Sequence, residues 1–157
     1  IVPRQTDIYQ ILTSCVDLLR RHIDQKGISI ELDAQTETVW CDEVSMHTVF
    51  RNLISNSIKF SKEEGIIKIK THKNIDTVSV SVSDSGIGMT PEVLKRIFYK
   101  NEHYSSSGTH NEQGTGLGLM LVKDFVEKNF AKLNVQSKSG EGTTITIDIQ
   151  LNNPLEI

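Results

Sequence analysis

Strict alternation of apolar and polar residues is the feature of this chain that most restricts its fold. Val78, Val80 and Val82 alternate with Ser79, Ser81 and Ser83. Ile67, Ile69 and Thr71 fall on one face of the stretch before them, and Ile145, Ile147, Ile149 and Leu151 on one face of a later stretch. A period of two puts every second side chain on the same side of a strand, so these segments read as strands of a sheet with one apolar face. Asn74-Ile75-Asp76 reads as the turn of a hairpin between the first two. Ser137 to Gly142 reads as a second turn, joining a strand with Leu133 and Val135 to the last one. Ile28, Ile30 and Leu32 alternate as well, and Thr38-Val39-Trp40 has the composition of a short strand.

An apolar sheet face needs a cover, and helical spacing supplies it. Ile8, Ile11, Leu12, Cys15, Val16, Leu18, Leu19 and Ile23 predict a helix within Thr6 to Lys26, with Thr6 as N-cap and Gly27 as stop. Asp42 predicts the cap of a second helix, Glu43 to Phe60, turning Val44, Val49, Leu53, Ile54 and Ile58 toward a core. Thr90-Pro91 starts a short helix ending near Phe98. A third long helix, Leu117 to Lys128, carries Met120, Leu121, Phe125 and Val126. Hairpin-joined strands with helices between them predict an α+β two-layer sandwich, helices on one face of a mixed sheet.

A chain of 157 residues suits one domain. With 17 Lys and Arg against 20 Asp and Glu, its weak acidity argues against a nucleic-acid binder, which carries a basic face. An anionic ligand would have to be held by a local cluster of donors. No apolar run approaches the roughly 18 residues needed to span a bilayer. The chain begins Ile1-Val2-Pro3 without an initiator Met, as expected of a piece of something longer. Cys15 and Cys41 make no CxxC pair and read as buried thiols in a reducing compartment. His22, His47, His72, His103 and His110 show no metal-ligand spacing.

Three short segments carry chemistry. On the second helix, Asn52 and Asn56 are four apart and share a face, with Lys59 one turn on. Asn is a modest helix former, so propensity does not account for the pair. An amide oxygen is a hard ligand suited to Mg²⁺, and Lys59 offers charge to a phosphate chain. A solvated polar face is the plain alternative. Next, Asp84-Ser85-Gly86-Ile87-Gly88 follows an alternating strand. There Asp84 can accept a hydrogen bond from an exocyclic amine, and the glycines permit positive φ and close approach to a flat ring. A Gly-rich turn closing a strand is the alternative. Last, Gly114-Thr115-Gly116-Leu117-Gly118-Leu119 opens the third long helix, where backbone N–H groups suit phosphate. Its spacing is GxGxG, with neither the ribose-reading acid of a dinucleotide fold nor a Walker lysine.

Taken together and in this order, the segments resemble the ATP-binding domain of sensor histidine kinases, in the superfamily shared with Hsp90-type chaperones, MutL and type II topoisomerases. The resemblance covers roughly Asp7 to Leu151. Asn52 to Phe60 is similar to the N box, Asp84 to Gly88 to the DxGxG box, Phe98 to the F box aromatic, Gly114 to Leu119 to the GTGLGL box, and Gly140 to Thr143 to the GxGT turn. It departs in two places. Asn129-Phe130-Ala131 stands where a Gly pair is common, and Tyr99-Lys100 where Pro-Phe is common after Phe98.

The resemblance implies a Bergerat-type sandwich: a mixed, mostly antiparallel sheet covered on one face by about three helices. Residues 1–157 would be one such domain, with 99–113 as a lid over ATP. It implies that Asn56 holds Mg²⁺, that Asn52 orients phosphate or metal, that Lys59 contacts phosphates and that Phe60 packs by the purine. Asp84 would accept from the adenine amino group, with Thr143 joining through water, and Gly86 and Gly88 would line the base. Gly114, Thr115, Gly116, Leu117 and Gly118 would cradle phosphates. The implied partners are a dimerisation domain bearing the acceptor His, upstream in the same protein, and a response regulator. No nucleic acid and no direct membrane contact are implied, and the domain would be cytoplasmic, within a parent that can be membrane-anchored. None of the five histidines stands in the phosphoacceptor pattern. Two other readings share the fold: a nucleotide-gated interaction module without phosphoryl transfer, and an anti-sigma-type serine kinase. A clamp ATPase fits poorly, because Glu43 lies well over two turns before Asn52.

Residues 99–113 are polar and without periodicity, with Ser105-Ser106-Ser107-Gly108 at the centre. A loop of about 15 residues inside a domain is usually functional or mobile. Ordering costs about 1–2 kcal/mol per residue, which this composition does not recover from its own contacts. Amide hydrogen exchange across 99–113 should therefore slow when a non-hydrolysable ATP analogue binds. Unchanged protection at saturating analogue would mean that the loop is no lid.

Overall fold

In the computed structural model, which describes residues 1–99, 108 and 117–156, the alternating segments form one sheet. In chain order the elements are β1 (Arg4–Asp7), α1 (Ile8–Leu18), α2 (Arg20–Gln25), β2 (Ser29–Asp33), β3 (Thr38–Cys41), α3 (Glu43–Phe60), β4 (Ile66–Lys73), β5 (Thr77–Asp84), α4 (Pro91–Leu94), a π-helical turn (Lys95–Tyr99), α5 (Gly118–Lys128), β6 (Lys132–Lys138) and β7 (Gly142–Gln150). The main sheet runs β2-β4-β5-β7-β6. Its β2–β4 pair is parallel and the other pairs are antiparallel, so the expected mixed, mostly antiparallel sheet is found.

Register explains the core. Val82 lies opposite Ile69 on one side and Ile145 on the other, and Ile145 lies opposite Val135. The inward row of Ile67, Ile69, Val78, Val80, Val82, Ile145, Ile147 and Ile149 is buried against Leu12, Phe50, Leu53, Ile54, Val122 and Val126 of α1, α3 and α5. The opposite face carries Lys68, Lys70, Ser79, Ser81, Ser83, Thr144, Thr146 and Asp148, none of them buried. Among the described residues, helices thus cover one face only.

The helices differ from the sequence expectation at their starts. Thr6 is not a cap but a strand residue: β1 pairs with β3, Thr6 opposite Val39, and Asp7 caps α1 by accepting from Tyr9 N at 2.9 Å. The single helix expected through Lys26 breaks at Leu19, whose φ of −96° and ψ of 4° separate α1 from α2. Asp42 caps α3 as expected, accepting from Ser45 N at 2.8 Å. Val44 does not face the core but is 76% exposed, because it sits half a turn around the helix from buried Met46. Leu117 is the N-cap of α5 rather than its first residue. The ends of α2 and α5 are fixed by their own devices. Beyond α2, Gly27 has φ +67°, Gly27 N donates to Asp24 O at 3.1 Å, and Ile28 N donates to Ile23 O at 3.0 Å, a Schellman motif.

Asn129, where the family pattern has glycine, closes α5 with no solvent exposure. Its Oδ1 accepts from Asp42 N at 2.7 Å, and its Nδ2 donates to Ser45 Oγ at 2.9 Å and Phe125 O at 2.7 Å. One amide thus ties the end of α5 to the start of α3, and Phe130 follows it with φ +55°. Cys15 and Cys41 are buried, and burial pushes both thiols up to about 12. Among the described residues no helix is long and apolar enough to cross a membrane. Asn129→Ala should cost about 2–4 kcal/mol, since it strands a buried N–H and a hydroxyl. A lower urea midpoint with unchanged slope would register it.

Candidate functional site

The end of α3 and the turn after β5 meet backbone to backbone. Phe60 O, one of the helix's terminal carbonyls, accepts from Ile87 N at 3.3 Å, and Ile87 O accepts from Gly140 N at 2.7 Å. The turn from Asp84 to Gly88 is therefore wedged between the last residue of α3 and the β6–β7 turn. No side chain fits at the wedge. A Cβ on Gly86 would lie 2.2 Å from Phe60 O, and one on Gly88, at φ +65°, 2.0 Å from Lys138 O. Gly142, at φ +96°, would place a Cβ 2.0 Å from Asp84 O. Packing alone thus requires the two glycines expected to line a base, and it adds Gly142.

Asp84 ends β5 on the inward face, opposite Ile67 and Thr143. Burial pushes its carboxyl above the usual range, and three donors pull it partly back: Gly86 N, at 2.9 Å from Oδ1, the Ser57 hydroxyl and Thr143 N. The sequence reading passed over Ser57. Its signal was available, since Ser57 follows buried Leu53 and Ile54 by four and three residues and so is a hydroxyl on the core stripe. The Thr143 hydroxyl bonds to Ser137 Oγ at 2.7 Å, and Ser137 Oγ accepts from Met89 N at 2.8 Å. Ser137, also unexpected, thereby links the GxGT-like turn to the residue after Gly88.

Asn52, Asn56, Lys59 and Phe60 are all half-buried on α3. Asn52 Nδ2 donates to Thr48 O at 2.8 Å, and its Oδ1 faces Gly118, where a Cβ would come within 2.8 Å. The first residue of α5 therefore abuts an N box-like asparagine because it is glycine. Asn56 makes no side-chain hydrogen bond to any described residue, so its amide oxygen is available to a ligand. Lys59 Nζ stands 4.9 Å from the centroid of the Phe60 ring. Leu117 is exposed at the cap of α5. Gly114, Thr115 and Gly116 lie outside the described residues, as does the expected lid 99–113 apart from Tyr99 and Gly108.

Among the described residues no three His, Cys, Asp or Glu side chains gather to hold a metal. An open depression of about 300 Å³ beside the β6–β7 turn has Asp84 and Thr143 at its edge. Its other walls include Ser83, Gln136 and Thr144 of the outer sheet face, and no residue of α3 lines it.

Residues 41–153 match the family described as histidine kinase-, DNA gyrase B- and HSP90-like ATPase. The phytochrome-like protein Cph1 of Synechocystis is 30% identical over 149 residues, 94% of this chain and 20% of that protein. The heme sensor protein HssS of Staphylococcus saprophyticus is 33% identical over 124 residues, 79% of this chain and 26% of that protein. The histidine protein kinase SaeS of Staphylococcus aureus is 28% identical over 151 residues, 94% of this chain and 43% of that protein. The chain thus spans less than half the length of these relatives. Among solved structures, the catalytic domain of histidine kinase ThkA superposes with a TM-score of 0.82 at 23% identity, over 96% of this chain and 97% of that one. The mycobacterial sensor histidine kinase MprB gives 0.81 at 22%, over 95% and 97%.

The raised carboxyl of Asp84 makes stability depend on pH in a defined direction. A folded pKa above the unfolded one means that the native state binds more protons, so stability falls as pH rises from the ordinary carboxylate range through the raised value. Asp84→Asn removes that term. Urea unfolding between about pH 4 and pH 7 should show the parent losing stability relative to Asp84→Asn as pH rises. A constant difference would mean that the carboxylate is not strained by burial.

Proposed function

Because this chain belongs to the histidine kinase-, DNA gyrase B- and HSP90-like ATPase family, we propose that it is the catalytic ATP-binding domain of a sensor histidine kinase. In this reading it binds Mg-ATP and presents the γ-phosphoryl group to a histidine on a dimerisation domain elsewhere in the same protein, and a response regulator receives the group from that histidine. Residues 1–157 would act as one domain of a kinase that can be membrane-anchored, the domain itself being cytoplasmic.

One observation carries the proposal: α3 presents two chemically different ends to its neighbours. At its C-terminus Phe60 is bonded through its carbonyl to the turn that holds Asp84, pairing a flat apolar ring with a half-buried acceptor. Eight residues earlier Asn52 abuts the first residue of α5. At 1.5 Å per residue these ends lie ~12 Å apart along the axis, enough to part a purine from a triphosphate tail.

The roles follow from that polarity. Asp84, held by Gly86 N, Ser57 and Thr143 N, accepts from the adenine amino group, with Thr143 assisting through water. Phe60 covers the ring, and the backbone at Gly86 and Gly88 flanks it. Lys59 neutralises phosphate charge, Asn52 orients the phosphate end, and Gly114, Thr115, Gly116, Leu117 and Gly118 present amides at the start of α5, where the helix dipole favours anions. Residues 99–113 close over the nucleotide and exclude water. The donor set fits Mg²⁺: Asn56, whose amide makes no hydrogen bond to a described residue, would supply one hard oxygen and leave the other positions to nucleotide oxygens and water. Such an ion would supply charge neutralisation to the phosphate chain. The chain's own residues position and neutralise, and no nucleophile among them is required.

Calorimetric titration tests the assignment. Asp84→Ala should weaken ATP with or without Mg²⁺ by about 1.5–3 kcal/mol, roughly tenfold to over a hundredfold. Asn56→Ala should weaken Mg-ATP more than metal-free ATP, because only the metal loses a ligand. Equal affinity in Asp84→Ala would remove the base contact, and equal loss in both forms of ATP would make Asn56 structural.

A further inference from the structure

Lys26 is the only buried Lys, Arg, Asp or Glu among the described residues, at 5% exposure, and no motif claims it. Lysines seldom lie so deep unless their ammonium is fully engaged. Here Nζ donates to Ile58 O at 2.8 Å and to Lys59 O at 3.0 Å. Both are carbonyls of the last turn of α3, which no intrahelical donor reaches. With Ser61 N on Ser57 O at 3.0 Å and Ile87 N on Phe60 O, every carbonyl of that turn has a donor. A cation at a helix C-terminus also meets the negative end of the macrodipole.

The donor is itself fixed. Lys26 closes α2, the Schellman motif at Gly27 follows, and Lys26 O accepts from Glu64 N at 3.0 Å in the turn after α3. Its ammonium therefore reaches the helix end from a scaffold bonded on both sides.

We propose that Lys26 is a positioning residue of the nucleotide site. In the reading above it touches neither base nor phosphate. It holds the turn that carries Lys59 and Phe60 in register with the turn that carries Asp84. Without the ammonium, two desolvated carbonyls lack their donor, the turn loosens, and the ring of Phe60 leaves its place over the base. This inference rests on the nucleotide-binding reading above.

The test is Mg-ATP calorimetry on the chain and its variants at a temperature where circular dichroism shows each fully folded. Lys26→Met keeps the stem and removes the donor, and its affinity should fall about tenfold or more, whereas Lys26→Arg, which keeps a donor cation, should stay within about threefold of the parent. Asn129→Ala, destabilised at the other end of α3, should bind as the parent does and so separates positioning from mere loss of stability. If Lys26→Met does not fold, Lys26→Gln replaces it, with a loss of at least about threefold expected from its weaker neutral donor. Parent-like affinity in the Met or Gln variant, or losses in Asn129→Ala as large as theirs, would overturn the proposal and leave the functional reading intact. A parent that binds no ATP would overturn that reading and this one with it.

Discussion

Backbone atoms, brought closer than any side chain permits, fix the geometry on which this site depends. Phe60 O, the turn from Asp84 to Gly88, and the β6–β7 turn touch one another through Ile87, which donates to one neighbour and accepts from the other. Glycine at 86, 88 and 142 is the condition for that approach, since each Cβ would come within 2.2 Å of a carbonyl oxygen. The consequence is positional. The end of α3 cannot shift along the sheet without breaking a hydrogen bond to the turn that holds Asp84, so the ring and the acceptor move as one body. Alanine at 86 would push the turn away from α3, and alanine at 88 or 142 would push the end of β5 and its turn away from the β6–β7 hairpin, before any of them met a ligand.

Where a residue's face is decided by its neighbours in sequence, the chain could be read directly. The inward rows of β4, β5 and β7 and the span of α3 from Asp42 to Phe60 are of this kind, because period and cap are local properties. Features that depend on distant partners were not legible. β1 is four residues, all of them polar, and exists because β3 offers it a ladder. The break at Leu19 leaves the apolar period intact across two helices. Val44 was misplaced because a first-turn valine satisfies a hydrophobic count whichever way it points. At the candidate site, the motifs pointed to Asn52, Asn56, Lys59, Phe60, Asp84 and Thr143. The groups that support them, Ser57, Ser137 and Lys26, bond across long stretches of chain. The glycines of the Asp84 turn were legible as glycines, but their immediate reason proved to be protein backbone.

Two polar side chains, Asn129 fully buried and Asp84 half-buried, show contrasting uses of the interior. Asn129 spends both its amide groups on partners at 2.7–2.9 Å and acts as a rivet between helices. Asp84 has three donors and is still driven toward neutrality by burial. A carboxylate held against its solvation preference in a cleft is a common mark of a working site. The fold tolerates it because its donors come from three elements, α3, the turn after β5 and β7, none of which exists only to serve it.

The two native thiols carry a practical consequence. Burial pushes the thiols of Cys15 and Cys41 up to about 12, so they stay protonated at neutral pH. Thiol-directed reagents attack the thiolate, and these sulfurs are shielded as well. A cysteine engineered onto the helix-free face would therefore be the sole fast-reacting position. Fluorophores or spin labels could be installed there for distance measurements without first stripping the core of its own sulfur.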